Sequence, residues 1–156
     1  VKAFLEQGIK KPCADITEAD LASIKRVAIP RRGVVEFKAD DFSGLPNLEI
    51  LNIKGNPFET LPEGMTKDLR NLKTVVLFGT PSLKFLPHDF LEGNELMENI
   101  HLFRVENLKT LSESVIVRLG NLKNLKVLDL DSALGQPEQT RINEIFSKTN
   151  VELTFY

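Results

Sequence analysis

The sequence of 156 residues contains no tryptophan, one tyrosine and a single cysteine, Cys13. With one cysteine an internal disulfide is impossible, and a zinc site built from clustered cysteines is not expected. We expect the Cys13 thiol to lie half-buried near the N-terminus, with a pairing outside this chain or a reactive thiol as alternatives. No apolar run approaches the roughly 18 residues that a membrane-spanning helix requires. The stretch VVLF at 75–78 is among the longest.

The sequence also lacks a strong charge of one sign. Its 20 basic and 22 acidic residues give a formal net charge of −2. This balance gives no reason to expect nucleic acid or an anionic membrane as a partner. A short basic cluster at 25–33 has no interleaved aromatic residues that would stack on bases, so we interpret it as a solvated rim. With 42% hydrophobic and 27% charged residues, the chain has the composition of one ordinary globular domain.

The apolar residues that are present follow a repeat. In LPNLEILNIKGNPFETLP at 45–62, Leu51 is followed two positions later by Ile53. The same pair of apolar residues recurs at intervals of 24, 24, 25, 28 and 25 residues. The first residues of these pairs, here called the anchors, are Val27, Leu51, Val75, Ile100, Leu128 and Leu153. Six units at this spacing lie within the 20–29-residue period of leucine-rich repeats.

The stretch LPNLEILNIKGNPFETLPEGMTKDL resembles a typical leucine-rich repeat, with the pattern LxxLxxLxLxxNxLxxLPxxxFxxL, and the match extends over about 24–155. The resemblance implies an α/β leucine-rich-repeat solenoid with a parallel concave β-sheet, an irregular or helical convex side and a helical N-terminal cap. In this family the asparagine of the pattern binds backbone groups of neighbouring turns. Only Asn56 can do so fully, and Thr80 can do so partly. We expect the turns at Arg32, Val105 and Ala133 to satisfy their buried amides in another way.

We predict a single domain over 1–156, with a helical cap at 1–23, repeats at 24–135, and a helix and a last strand at 136–156. In ITEADLASI, Thr17 and Asp20 have the spacing of a capping box at the start of a helix. The preceding VKAFLEQG reads as a short helix closed by Gly8. Together they are loosely similar to the caps of bacterial surface or secreted leucine-rich-repeat proteins of the internalin type.

Two further helices and one strand are predicted toward the C-terminus. SESVIVRLGNL, which contains the extra residues of the longest unit, has helical spacing, and so does PEQTRINEIFSK. The final VELTFY is predicted to add a strand with an unpaired edge.

The strand residues that the core does not use are predicted to line the concave face and to bind a partner. Phe78 and Phe103 fall on adjacent strands, which lie about 4.8 Å apart, so their rings should touch or nearly touch. Contiguous exposed aromatic surface is typical of interaction sites. Basic residues such as Lys54 toward one end and two aspartates toward the other predict a charge gradient along the sheet. The predicted partner-binding residues are Ile50, Asn52, Lys54, Val76, Phe78, His101, Phe103, Asp129 and Asp131.

We therefore expect a monomeric, non-catalytic module for a protein or peptide, with no cofactor and no metal. His101 has Asp129 as a neighbour but no serine or cysteine nucleophile beside it, and Asp129 with Asp131 falls short of a calcium site. Alternatively, Phe78 or Phe103 folds over the strand end and only stabilises the sheet. Two alternatives apply to the chain as a whole: it is a structural or self-associating spacer, or it is a recognition domain of a larger protein such as an effector. The cap and the missing start methionine favour a secreted, cell-surface or periplasmic bacterial protein, and a cytoplasmic location stays open.

Overall fold

The repeat folds into one sheet of six parallel strands in the computed structural model of the protein, which describes residues 11–156. The strands follow one another in the sheet in chain order. They are β1 (Arg26–Ala28), β2 (Ile50–Asn52), β3 (Thr74–Val76), β4 (Asn99–Leu102), β5 (Val127–Leu130) and β6 (Glu152–Phe155). An open parallel sheet whose strands are joined by long connections confirms the predicted α/β solenoid.

The pairing register confirms the repeat residue by residue. Val27 lies opposite Leu51 and Leu51 opposite Val75, and the row continues through the other three anchors. The first five anchors are at most 1% exposed, and Leu153 is partly buried against the core at the end of the sheet. Each unit therefore covers the apolar face of the next, which a single unit cannot do for itself.

Residues 11–156 contain three α-helices: α1 (Glu18–Ala22) precedes β1, while α2 (Glu113–Asn121) and α3 (Gln136–Phe146) lie in the connections that lead to β5 and β6. All three were predicted from the sequence. Helix α2 lies in the longest unit and takes up its extra residues without a shift of the strand register. The predicted helix before Gly8 and the side chain of Cys13 lie outside the described residues.

Charged side chains also align at the entry to the strands. The Glu49 carboxylate lies 3.2 Å from Lys25 Nζ and 3.0 Å from Lys73 Nζ, which belong to the preceding and the following unit. Hydrogen bonds from Lys73 and then Lys25 lower the pKa of Glu49 below its usual value. Opposite charges in neighbouring units favour the observed register over a slipped one.

Helix α1 begins with the predicted capping box. The Asp20 N–H donates to Thr17 Oγ1 at 3.2 Å, and the Thr17 N–H donates to Asp20 Oδ2 at 2.9 Å. Lys11 Nζ lies 2.8 Å from the other carboxylate oxygen of Asp20. The Lys11 hydrogen bond, followed by those from Thr17, lowers the pKa of Asp20 from 3.8 to about 2.

Acid is expected to weaken this cap. Because the pKa of Asp20 is lower in the folded than in the unfolded chain, its stabilisation is present above pH 3.8 and is lost as the pH falls through about 2. Asp20→Asn removes this titration. Urea unfolding should therefore show the stability difference between the natural protein and Asp20→Asn shrinking over that pH range. A difference that stays constant from pH 3.8 to about 2 would contradict this assignment.

Asn56 makes the hydrogen bonds that the repeat pattern predicts. Its side chain is fully buried, and its Oδ1 accepts from the Arg32 N–H at 2.9 Å and the Val34 N–H at 3.2 Å. Its Nδ2 donates to the carbonyl oxygens of Ile29 at 2.7 Å and Ile53 at 2.8 Å. The amide thereby ties the turn after β2 to the turn after β1.

The other turns depart from this pattern as expected. Thr80 is also fully buried, and its hydroxyl donates only to the Leu77 carbonyl, at 2.8 Å. The Val105 N–H donates to Asp131 Oδ2 at 2.7 Å, while Asp131 Oδ1 accepts from the Ala133 N–H at 2.8 Å. A carboxylate from the next unit thus replaces the missing asparagine at Val105, which confirms that expectation for this turn.

Asp131→Asn is expected to lower the free energy of unfolding by about 1–2 kcal/mol. The amide keeps one acceptor oxygen but turns an N–H group toward one of the two backbone donors. Urea denaturation measures the change, with Asp68→Asn, at an exposed position, as the matched control. The control should shift stability by less than about 0.5 kcal/mol. Equal effects of the two substitutions would show that the carboxylate does not support the turn.

Candidate binding site on the concave sheet

The predicted concave residues form a continuous surface. The register places Asn52 opposite Val76, Val76 opposite His101, and His101 opposite Asp129. The first three of these side chains are half-buried, as residues of a solvent-facing sheet are expected to be, and Ile50 is half-buried beside them. This row crosses the middle of the sheet.

Beyond the strand ends lies a row of stacked rings, called here the aromatic row and formed by Phe78, Phe103 and Tyr156. The ring centroids of Phe78 and Phe103 are 4.6 Å apart, and the planes are inclined by 25°. Those of Phe103 and Tyr156 are 4.4 Å apart and inclined by 26°. Phe78 and Phe103 are half-buried and Tyr156 is 56% exposed, so the row is not part of the buried core.

The rings of Phe103 and Tyr156 meet although strand β5 lies between β4 and β6. At the corresponding position, directly after β5, the chain has Asp131, which is only 5% exposed and whose carboxylate accepts hydrogen bonds from the backbone N–H groups of Val105 and Ala133. The inward turn of Asp131 leaves the concave surface there to the two aromatic rings. The inward orientation of Asp131 therefore does two things: it satisfies the backbone N–H groups of the turns, and it leaves room for Phe103 and Tyr156 to stack.

Two cations lie against the first ring of the row. Lys54 Nζ is 5.7 Å and Arg104 Cζ is 5.4 Å from the centroid of Phe78. Both distances lie within the roughly 6 Å at which a cation is attracted to an aromatic face. This end of the row therefore combines apolar surface with positive charge.

His101 and Asp129 form a polar pair between the strands. His101 Nδ1 lies 2.6 Å from Asp129 Oδ2, and the side chains are 31% and 10% exposed. The predicted proximity of these residues is thereby confirmed. The pair can offer a partner one imidazole edge, while most of the aspartate is covered.

Across residues 11–156, no group of three or more His, Cys, Asp or Glu side chains is arranged to hold a metal ion. In the same part of the chain, no helix has both the length and the apolar character needed to cross a membrane. Strand β6 forms one edge of the described sheet, and self-association through it stays a prediction.

The structure brings together seven of the nine predicted site residues as accessible surface. The two aspartates differ, since Asp129 is paired with His101 and Asp131 faces the backbone of the neighbouring turn. The acidic end of the predicted charge gradient is therefore largely withdrawn from solvent. The sequence-based site also omitted Tyr156 and Arg104, although Tyr156 stands three residues after its anchor, as Phe78 and Phe103 do.

No family model and no curated protein matches this sequence. Among solved structures, the chain is similar to a chain of the Drosophila Toll–Spätzle complex, with 27% identity and a TM-score of 0.51 over 73% of this chain and 18% of that one. A chain of the LRIM1/APL1C complex has 15% identity and a TM-score of 0.45 over 74% of this chain and 25% of that one. Internalin C2 of Listeria monocytogenes has 18% identity and a TM-score of 0.37, and the match covers 99% and 92% of the two chains.

The protein thus spans 18% and 25% of the chains it matches in the Toll–Spätzle and LRIM1/APL1C complexes. The likeness to the Toll–Spätzle complex agrees with the repeat period and with the single parallel sheet in chain order. On these grounds the chain has the leucine-rich-repeat fold and is similar to leucine-rich-repeat proteins.

Proposed function

We propose that this protein is a non-catalytic recognition module that binds a protein or peptide on its concave face, centred on the aromatic row. The observation that carries the proposal is the stacking of Phe78, Phe103 and Tyr156 outside the buried core. Burial of aromatic side chains supplies much of the free energy of protein interfaces. Three adjacent rings with solvent-exposed surface are suited to that use.

The geometry favours binding in a second way. Each ring of the row is held by its neighbour, so little side-chain freedom remains to be lost when a partner docks. Val76 extends the apolar surface into the sheet, and Asn52 and His101 supply hydrogen-bonding groups beside it. A partner segment lying across the strands would contact all of these side chains.

The structural neighbour with the highest TM-score among those reported above supports the same class of function. It comes from the Toll–Spätzle complex, an assembly of different proteins. We extend to this chain only the binding of a protein partner, without the identity of that partner. The secreted or cell-surface location, the bacterial origin and the monomeric state are part of this proposal.

The proposal is tested by panning a random twelve-residue peptide library, displayed on phage, against the immobilised protein. The recovered peptides are synthesised, and their affinity is measured by fluorescence anisotropy for the natural protein and for Phe78→Ala/Phe103→Ala. The double variant should bind at least tenfold more weakly, a loss of about 1.4 kcal/mol. Circular dichroism checks that it is folded.

Phe85→Ala is the matched control, because Phe85 is 64% exposed and lies in a connection rather than on the concave strands. It should leave the affinity unchanged. Recovered peptides that all bind the folded double variant as tightly as the natural protein would place the binding surface elsewhere and refute the proposal.

A further inference from the structure

We propose that the segment bound at this site is acidic, with a carboxylate held among Arg31, Lys54 and Arg104 and a neighbouring apolar or aromatic residue on the aromatic row. The inference rests on the proposed function, since it names the chemistry of the partner for the same concave face.

Three cations lie in the turns that follow β1, β2 and β4, and two of them lie against the Phe78 ring. Lys54 and Arg104 both approach the Phe78 ring within 6 Å, at 5.7 and 5.4 Å. Arg31 crosses the adjoining turn, since a Cβ built on Gly55 would lie 2.7 Å from Arg31 Cγ. None of the ion pairs found within residues 11–156 includes any of the three. Their charge is therefore available to a partner.

Little negative charge opposes these cations on the concave face. Asp129 is paired with His101, and both oxygens of Asp131 accept backbone hydrogen bonds. Glu152 is exposed, but it begins β6 and so lies at the opposite end of the strands from the cations. The two charged groups found against the Phe78 ring are both positive, although the whole chain carries −2.

The backbone gives an independent reason to assign a role to the two arginines. Arg31 and Arg104 have φ angles of 51° and 54°, in the left-handed region that side chains disfavour. They stand four residues after their anchors, where the neighbouring units have Gly55 and Gly79, with φ of 69° and 67°. Stability alone would favour glycine at all four positions. Arginine at two of them indicates that the guanidinium groups are kept for a contact outside the turn.

The chemistry of these groups selects a carboxylate. A guanidinium group donates two parallel hydrogen bonds to the two oxygens of a carboxylate, and a lysine adds a third donor. The face of Phe78 restrains the two nearest cations through cation–π attraction while their N–H groups can still turn to a ligand. Next to this point, Phe103 and Tyr156 offer apolar surface for the residue that follows or precedes the acid.

The test uses the peptides recovered by panning that require Phe103 for binding. Compared with the unselected library, they should be enriched in Asp and Glu near an apolar or aromatic residue. A synthetic copy with each Asp changed to Asn and each Glu to Gln should bind at least tenfold more weakly. A rising NaCl concentration should weaken the binding of the acidic peptide but not that of its neutral copy, because salt screens exposed charges.

The variant Arg31→Gly/Arg104→Gly makes the test sharper, because glycine suits both backbone positions. Its thermal unfolding midpoint should equal or exceed that of the natural protein, while its affinity for the acidic peptide falls at least tenfold. Lys67→Ala/Lys123→Ala removes the same charge from exposed positions away from the strands and should bind within twofold of the natural protein.

The possible failures can be told apart. Peptides that require Phe103, are neutral or basic and bind Arg31→Gly/Arg104→Gly normally would overturn the acidic partner and leave the concave binding site standing. An equal loss of affinity in Lys67→Ala/Lys123→Ala would also overturn it, since net charge rather than the named site would then decide. Peptides that require neither Phe103 nor the arginines would refute the proposed function itself.

Discussion

Replacing Asn56 with alanine is expected to lower the free energy of unfolding by about 3 kcal/mol. The substitution leaves the backbone N–H groups of Arg32 and Val34 without their acceptor. It also removes the donor to the carbonyl groups of Ile29 and Ile53, in a site that is fully buried. Each buried group that loses its partner costs about 1–3 kcal/mol unless water reaches it. Urea denaturation followed by circular dichroism measures the change.

Thr80→Val is the matched comparison for this prediction. Thr80 occupies the same column one unit later and makes one side-chain hydrogen bond, to the Leu77 carbonyl. Its replacement should cost about 1 kcal/mol. If Asn56→Ala were no more destabilising than Thr80→Val, the bridging of two turns by Asn56 would not be a main support of the solenoid.

Phe103→Ala is expected to lower the affinity for the peptides recovered by panning about thirtyfold, which corresponds to about 2 kcal/mol. Phe103 is the middle ring of the aromatic row, with centroids at 4.6 Å and 4.4 Å on its two sides. Its loss therefore interrupts the platform and frees both neighbouring rings. Because Phe103 is half-buried and lies outside the core, the variant should fold. Fluorescence anisotropy with the synthetic peptides measures the affinity.

Two further substitutions serve as comparisons for this prediction. Tyr156→Ala should cause a smaller loss, because Tyr156 lies at the end of the row and stacks on one ring. Phe85→Ala removes an exposed ring away from the row and should change the affinity by less than twofold. If Phe103→Ala behaved like Phe85→Ala, the stacked rings would serve only to stabilise the sheet end, as the alternative interpretation holds.

The sequence predicted the repeat, the register and the direction of most strand side chains. These follow from alternation, because an anchor such as Leu51 and its partner Ile53 must both face the core and Asn52 between them must face away. The capping box at Thr17 and Asp20 was equally predictable, because it depends on residues three positions apart in one helix turn.

The details of the site could not be predicted in the same way. Alternation places Asp131 on the concave side, but its carboxylate turns inward to accept the hydrogen bond of the Val105 N–H, one unit away. That contact joins residues 26 positions apart, and no local pattern reports it. The stacking of Tyr156 on Phe103 depends on the space that Asp131 leaves. The left-handed backbone at Arg31 and Arg104 could not be predicted either, because arginine, unlike glycine, does not indicate that conformation.

The most direct test of the concave binding site is an amide chemical-shift map of the ¹⁵N-labelled protein titrated with a recovered peptide. We predict the largest shifts at Asn52, Phe78, His101 and Phe103, with little change in the connections. Shifts concentrated instead around the exposed apolar residues of the connections, Phe85, Leu96 and Val117, would contradict it.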